Sequence, residues 1–199
     1  MMINTISMHA GNNKSLTSPT STKTAYDEMI VTTPAFKRWS TIPTDHICTK
    51  QAGGNISPEI SWVQVPLKTE TLALIVTDPD AQDFVHWIVF NIPPERTLLP
   101  KGFKTTNESY KDLTKLQIAD LKKEYATIPQ GVNGFGTIGY AGPCPPVGKP
   151  HRSVFTLYAL DTRLKLTDGA NVDEVRKAMN GHIVDQDEMV GFYQNPTKN

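Results

Sequence analysis

The sequence predicts a mainly β protein, a β-sandwich with a few peripheral helices. Three observations carry this. Fifteen prolines and thirteen glycines are spread through 199 residues, a density that suits short strands and loops better than a helical bundle. The strongest apolar runs, 71–77, 84–92 and 153–161, are short and rich in β-branched and aromatic residues. Only two segments, 107–125 and 172–180, carry apolar residues at helical spacing, so the order of elements does not suit a βαβ array.

The polar opening, 1–28, is rich in Asn, Ser, Thr and Lys and reads as a poorly ordered extension. The domain proper is expected over 29–195. Segment 29–33 is a short strand, and 36–58 is a loop punctuated by Pro43, Gly53, Gly54 and Pro58. A further strand covers 59–65 and ends at Pro66. The run 71–77 is a strand broken by Asp78-Pro79-Asp80-Ala81, because Pro79 lacks a donor and fixes φ. In 84–92, Phe84, His86, Ile88 and Phe90 alternate with Val85, Trp87, Val89 and Asn91. Both faces are mainly apolar, which predicts a central strand covered on both sides.

Segment 107–125 reads as a helical insertion with Ser109 at its cap, and 129–150 as a Gly- and Pro-rich loop. Segment 153–161 is a strand. Asn171 and Glu174 have capping-box spacing before the short helix 172–180, and Gly181 supplies the stop. Segments 183–184 and 189–193 are expected as two final short strands.

Twenty basic and twenty acidic residues give a formal charge of zero, which removes a global drive toward nucleic acid or acidic membranes. No run approaches the roughly 20 apolar residues of a membrane helix, so no integral membrane segment is expected. The opening lacks the apolar stretch of a secretory leader, and the expected location is cytoplasmic. Cys48 and Cys144 are too few for a disulfide scaffold. Two reduced thiols are the simpler expectation in a reducing cytosol, and one long-range bridge the sharper one.

Three polar residues flank or interrupt the strongest strands. Asp78 ends 71–77, His86 lies within 84–92, and His151 precedes 153–161. If these strands are neighbours, the three side chains meet at one edge. A buried strand histidine needs a partner, and a carboxylate beside it would favour imidazolium and hence an anion. The stretch Gly142-Pro143-Cys144-Pro145-Pro146-Val147-Gly148 forms a stiff rim suited to cradling phosphate or carboxylate. Each feature also has an ordinary reading: a satisfied core histidine, a turn aspartate, an exposed His–Arg pair, a rigid connector.

In combination these blocks resemble the phosphatidylethanolamine-binding family, which includes the eukaryotic Raf kinase inhibitor proteins, and most closely its bacterial and archaeal branch. The blocks are Thr77-Asp78-Pro79-Asp80-Ala81, then His86-Trp87-Ile88-Val89-Phe90-Asn91-Ile92-Pro93, then Gly142-Pro143-Cys144-Pro145-Pro146 with Gly148 and His151-Arg152. Asn55-Ile56-Ser57-Pro58 with Trp62 and Pro66, and Gly181-His182-Ile183 with Gly191-Phe192-Tyr193, fit the same pattern. The resemblance spans roughly 29–194. It implies a β-sandwich with a pocket for phosphate, acetate or a phosphoethanolamine head group, formed by Asp78, His86, Cys144, Pro145, Pro146 and His151. The chain departs from the pattern at Ser153, where relatives often carry an aromatic, which implies a more open or polar wall. The loop between Cys48 and Asn55 looks long, the 107–125 insertion is a candidate cover near the pocket, and Tyr193 does not stand in for the C-terminal helix of eukaryotic relatives.

The expected function is therefore binding or regulation, not catalysis, with a small anionic or phosphorylated ligand. Because family members inhibit kinases or serine proteases, a kinase or protease is the expected class of protein partner. The alternative is a hydrolase or other acid–base enzyme using His and Asp, or Cys144 as nucleophile beside His151. No G-x-S-x-G elbow is present. A metal centre on His86, His151 and Asp78 or His46 lacks H-x-x-x-H or C-x-x-C spacing, and nothing in the sequence asks for a cofactor.

Overall fold

The computed structural model describes residues 28–103, 123 and 125–196. The N-terminal extension 1–28 and the 107–125 insertion, with Ser109, lie almost wholly outside the described residues.

Two sheets pack face to face. The smaller has order β1-β3-β6, with β1 Ile30–Thr32, β3 Ile60–Val63 and β6 Leu98–Leu99. The larger has order β2-β8-β7-β4-β5, with β2 Ser40–Thr41, β4 Thr71–Asp78, β5 Phe84–Ile92, β7 His151–Leu160 and β8 Ile183–Tyr193. Pairing is antiparallel except for β2 against β8. Alternate residues of the long strands point between the sheets, as period-two geometry requires. There Val31, Ile60, Trp62, Leu72, Leu74, Trp87, Phe155 and Leu157 form the main core. Burying each of these large side chains contributes about 1.5–3 kcal/mol relative to exposure.

The opposite face of the larger sheet carries Ala73, Ile75, Ile88 and Phe90, and the single described α-helix, Val172–Met179, covers it through Val175 and Met179. That helix begins with the expected capping box between Asn171 and Glu174. The architecture is thus mainly β with two sheets.

Four local expectations are corrected. Strand β5 is not central; it ends the sheet. Its burial comes from segment 129–141, which bonds along its outer edge: Phe90 N donates to Pro129 O, Gly131 N to Ile88 O, Gly134 N to Val85 O and Ala141 N to His86 O. Nor does β5 alternate cleanly. Its register against β4 slips at Val76/Thr77 and at Leu72/Leu74, leaving His86 and the left-handed Asn91 (φ 54) as extra residues. These bulges put Val85 in the outer cluster with Ile88 and Phe90, and put Trp87, Val89 and Ile92 in the main core.

The two final strands are one strand, β8. Its polar stretch stays in the ladder because Asp185 Oδ2 accepts from Met29 N at 3.0 Å and Asp187 Oδ2 from Val31 N at 2.8 Å. The carboxylates thereby tie the smaller sheet to the larger.

Cys48 and Cys144 are bridged, with Cα atoms 5.4 Å apart, so the simpler expectation of two reduced thiols is overturned. Residues 96 apart in sequence become neighbours because 140–145 is stitched to 46–55. Tyr140 Oη donates to His46 O at 2.6 Å, Gly142 N to Asn55 Oδ1 at 2.7 Å, Cys48 N to Pro143 O at 3.1 Å and Gln51 Nε2 to Pro145 O at 2.6 Å.

Candidate functional site

Where β4 turns into β5, the Asp-Pro-Asp-Ala sequence does several jobs at once. Asp78 caps a 3₁₀ turn over Pro79–Ala81, with Asp80 N donating to Asp78 Oδ1 at 2.9 Å. Pro79 sits at the first position of that turn, where its missing N–H is harmless. The other carboxylate oxygen, Asp78 Oδ2, lies 2.7 Å from His151 Nδ1 at the start of β7. A carboxylate only accepts, so Nδ1 carries the proton and Nε2 is the remaining polar atom of the His151 ring. Asp78 therefore has both oxygens engaged. Beside it, Asp80 clamps Arg152: Oδ2 accepts from Nε at 2.9 Å and Oδ1 from Nη2 at 2.8 Å. The Arg152 side chain and backbone N–H together hold the Asp80 carboxyl at about 2.

His86 occupies the β5 bulge and is only 3% exposed. Its Nδ1 lies 2.7 Å from Ala141 O, and because a carbonyl only accepts, Nδ1 is the donor there. Its Nε2 is buried without a protein partner. Burial pushes the imidazole below its ordinary value; His151 adds to this, while the Ala141 carbonyl and the Asp78 charge oppose it. A neutral His86 consequently presents Nε2 as an acceptor without a protein donor.

Asp78, His86, Cys144, Pro145, Pro146 and His151 line one hollow of about 190 Å³. The sequence reading missed the other lining residues, Ala81, Phe84 and Phe135. Phe84 stacks edge-on to His86 at 5.1 Å, and Phe135 edge-on to Phe84 at 4.8 Å. The aromatic of the Asn133-Gly134-Phe135-Gly136 turn was the available signal: an apolar side chain flanked by glycines within a loop. Ser153 is buried and does not line the hollow, so the expectation of a more polar wall there fails. Tyr193 lines a neighbouring trough of about 940 Å³, which shares Phe135, Cys144, Pro145 and Pro146 with the hollow. His46 lies elsewhere, its Nδ1 bonded to Ile56 O at 2.7 Å. Among the described residues no group of three or more His, Cys, Asp or Glu side chains is arranged to hold a metal ion. Cys144 is a disulfide half, which removes it as a thiol nucleophile.

Comparison with known proteins places the chain in a family. A UPF0098 protein of Methanothermobacter thermautotrophicus is 42% identical over 168 residues, covering 83% of this chain and 99% of its own length. One from Aquifex aeolicus is 38% identical over 170 residues, covering 83% and 88%. Among solved structures, Escherichia coli YbcL, described as a member of the mammalian PEBP family, superposes with a TM-score of 0.70 at 30% identity, covering 84% of this chain and 98% of its own. A phosphatidylethanolamine-binding protein homologue from Chlamydia trachomatis gives 0.68 at 33% identity, covering 87% and 99%. The family profile described as phosphatidylethanolamine-binding protein matches residues 32–194. With most of its length matched by that profile and by these relatives, the chain belongs to the phosphatidylethanolamine-binding protein family.

Proposed function

We propose that this is a binding or regulatory protein whose hollow holds the phosphate of a small ligand: free phosphate, a phosphoethanolamine-type head group or a phosphorylated residue. The observation that carries the reading is the buried Nε2 of His86, without a protein partner, beside the Asp78–His151 pair in one hollow of about 190 Å³. With a proton on His86 Nε2 or on the phosphate oxygen that faces it, an anion there gains charge-assisted hydrogen bonds. The apolar walls, Phe84, Phe135, Pro145 and Pro146, lower the local dielectric and strengthen them. Asp78, its oxygens occupied, serves to orient His151.

Binding is favoured over catalysis by a hydroxyl or thiol nucleophile because neither group lines the hollow among the described residues. A kinase or protease remains the proposed class of protein partner, on family grounds alone. The disulfide bears on location. Reducing cytosol keeps thiols free, so the bridge argues for an oxidising compartment against the cytoplasmic expectation. Alkylation of Cys48 and Cys144 in intact cells would restore the cytoplasm.

The test of the binding reading is a thermal-shift titration with phosphoethanolamine. A ligand that binds only the folded state at a hundredfold excess over Kd adds about 2.7 kcal/mol. The expected result is a Tm that climbs with millimolar ligand in the natural protein and stays flat in His151→Ala. A flat Tm in both rejects the reading.

A further inference from the structure

Phe135 is more than half exposed, at 55%, yet the turn beneath it is fixed by a buried scaffold. The Asn133 side chain, 4% exposed, organises it. Its Oδ1 accepts from Phe135 N at 2.9 Å and Thr137 N at 3.3 Å, and its Nδ2 donates to Thr137 Oγ1 and Gly139 O, each at 2.9 Å. Gly136 takes φ +78, and a Cβ on Gly134 would stand 2.5 Å from the Phe84 ring. Gly134 N donates to Val85 O at 2.7 Å, pinning the turn to β5. A single exposed apolar side chain is ordinary. One whose turn is held by a buried amide, and whose ring joins a Phe135–Phe84–His86 stack, is fixed in place at the mouth of a site. The ring also lines both the hollow and the larger trough, together with Cys144, Pro145 and Pro146.

We propose that Phe135 determines specificity. With the phosphate in the hollow, the ring stacks on the first atoms of the ester substituent as it leaves toward the trough. The ligand class is an organic phosphate monoester with an aryl or other apolar substituent, selected over inorganic phosphate. This rests on the reading of the hollow as a phosphate site.

The trough fits such a substituent, because Pro145, Pro146, Val147 and Tyr193 give it apolar walls continuous with the hollow. An aromatic pair strengthens association by about two- to tenfold beyond simple area burial, and this is the selectivity expected of the ring.

The test is equilibrium binding of phenyl phosphate and of inorganic phosphate, each to the natural protein, Phe135→Ala and Phe135→Leu. The natural protein is expected to bind phenyl phosphate about fivefold more tightly. Phe135→Ala abolishes that preference, because it weakens phenyl phosphate more than inorganic phosphate. Phe135→Leu, which keeps apolar bulk at the turn, falls between the two. Equal affinities in the natural protein, or an undiminished preference in both variants, overturns the proposal while the phosphate site stands. Failure of inorganic phosphate to bind at all overturns the site, and the proposal with it.

Discussion

Opening the Cys48–Cys144 bridge should destabilise the protein heavily while leaving its fold recognisable. The bridge closes a loop whose ends are 96 residues apart. Releasing a loop of that length returns conformational entropy to the unfolded chain worth about 4–5 kcal/mol. The folded chain loses less, because the bonds from Tyr140 Oη, Gly142 N, Cys48 N and Gln51 Nε2 still join the rim to 46–55. The assay is urea unfolding of the oxidised protein against the Cys48→Ser/Cys144→Ser double variant. The double variant is expected to lose about 4–5 kcal/mol, to melt about 10–20 °C lower, and to show a larger m-value as its unfolded state expands. A loss below about 1 kcal/mol would mean that the chain-entropy argument does not describe this loop.

Other perturbations have defined signs. Gly134→Ala drives a Cβ to 2.5 Å from the Phe84 ring, and chemical denaturation should register a loss of about 1–3 kcal/mol. Asn171→Ala removes the cap of the helix Val172–Met179 and should cost about 1 kcal/mol in the same assay. His46 and His86 both titrate below their ordinary value of 6.5 through burial. The unfolded state therefore binds more protons, and ligand-free stability should fall as pH drops through 6.5 toward the folded-state values; urea midpoints between pH 5 and 8 check this, and a rising midpoint on acidification contradicts it. Phosphate-ester binding should take up one proton, either on His86 or kept on the phosphate. Its Kd should then weaken about tenfold per unit rise in pH above neutrality, and calorimetry showing a pH-independent Kd would exclude this linkage.

Much of the fold could be read from the chain because β-branched runs such as 71–77 and the Asn171–Glu174 box carry local signals that the tertiary structure respects. What escaped was non-local. The outer edge of β5 is covered by 129–141, a loop whose pairing no local pattern announces. The slips at His86 and Asn91 broke an alternation that looked regular in sequence. Asp78 and His151 were legible as strand-edge residues, and the 2.7 Å contact between them follows from β4 and β7 being neighbours. The bridge is not legible in the sequence, because a Cα separation of 5.4 Å cannot be read from spacing. Phe84 carries no chemical signal, and Phe135 only that of an apolar side chain flanked by glycines in a loop, because an aromatic shows no chemistry until its neighbours are known.

The imidazole nitrogens report most directly on the central claim. Long-range ¹H–¹⁵N spectra of His86 and His151, recorded with and without saturating phosphoethanolamine near neutral pH, follow the atoms that should meet the anion. The account predicts that His86 Nε2 shifts from an acceptor to a hydrogen-bonded state and that the His151 ring moves with it. Spectra unchanged at millimolar ligand would contradict it.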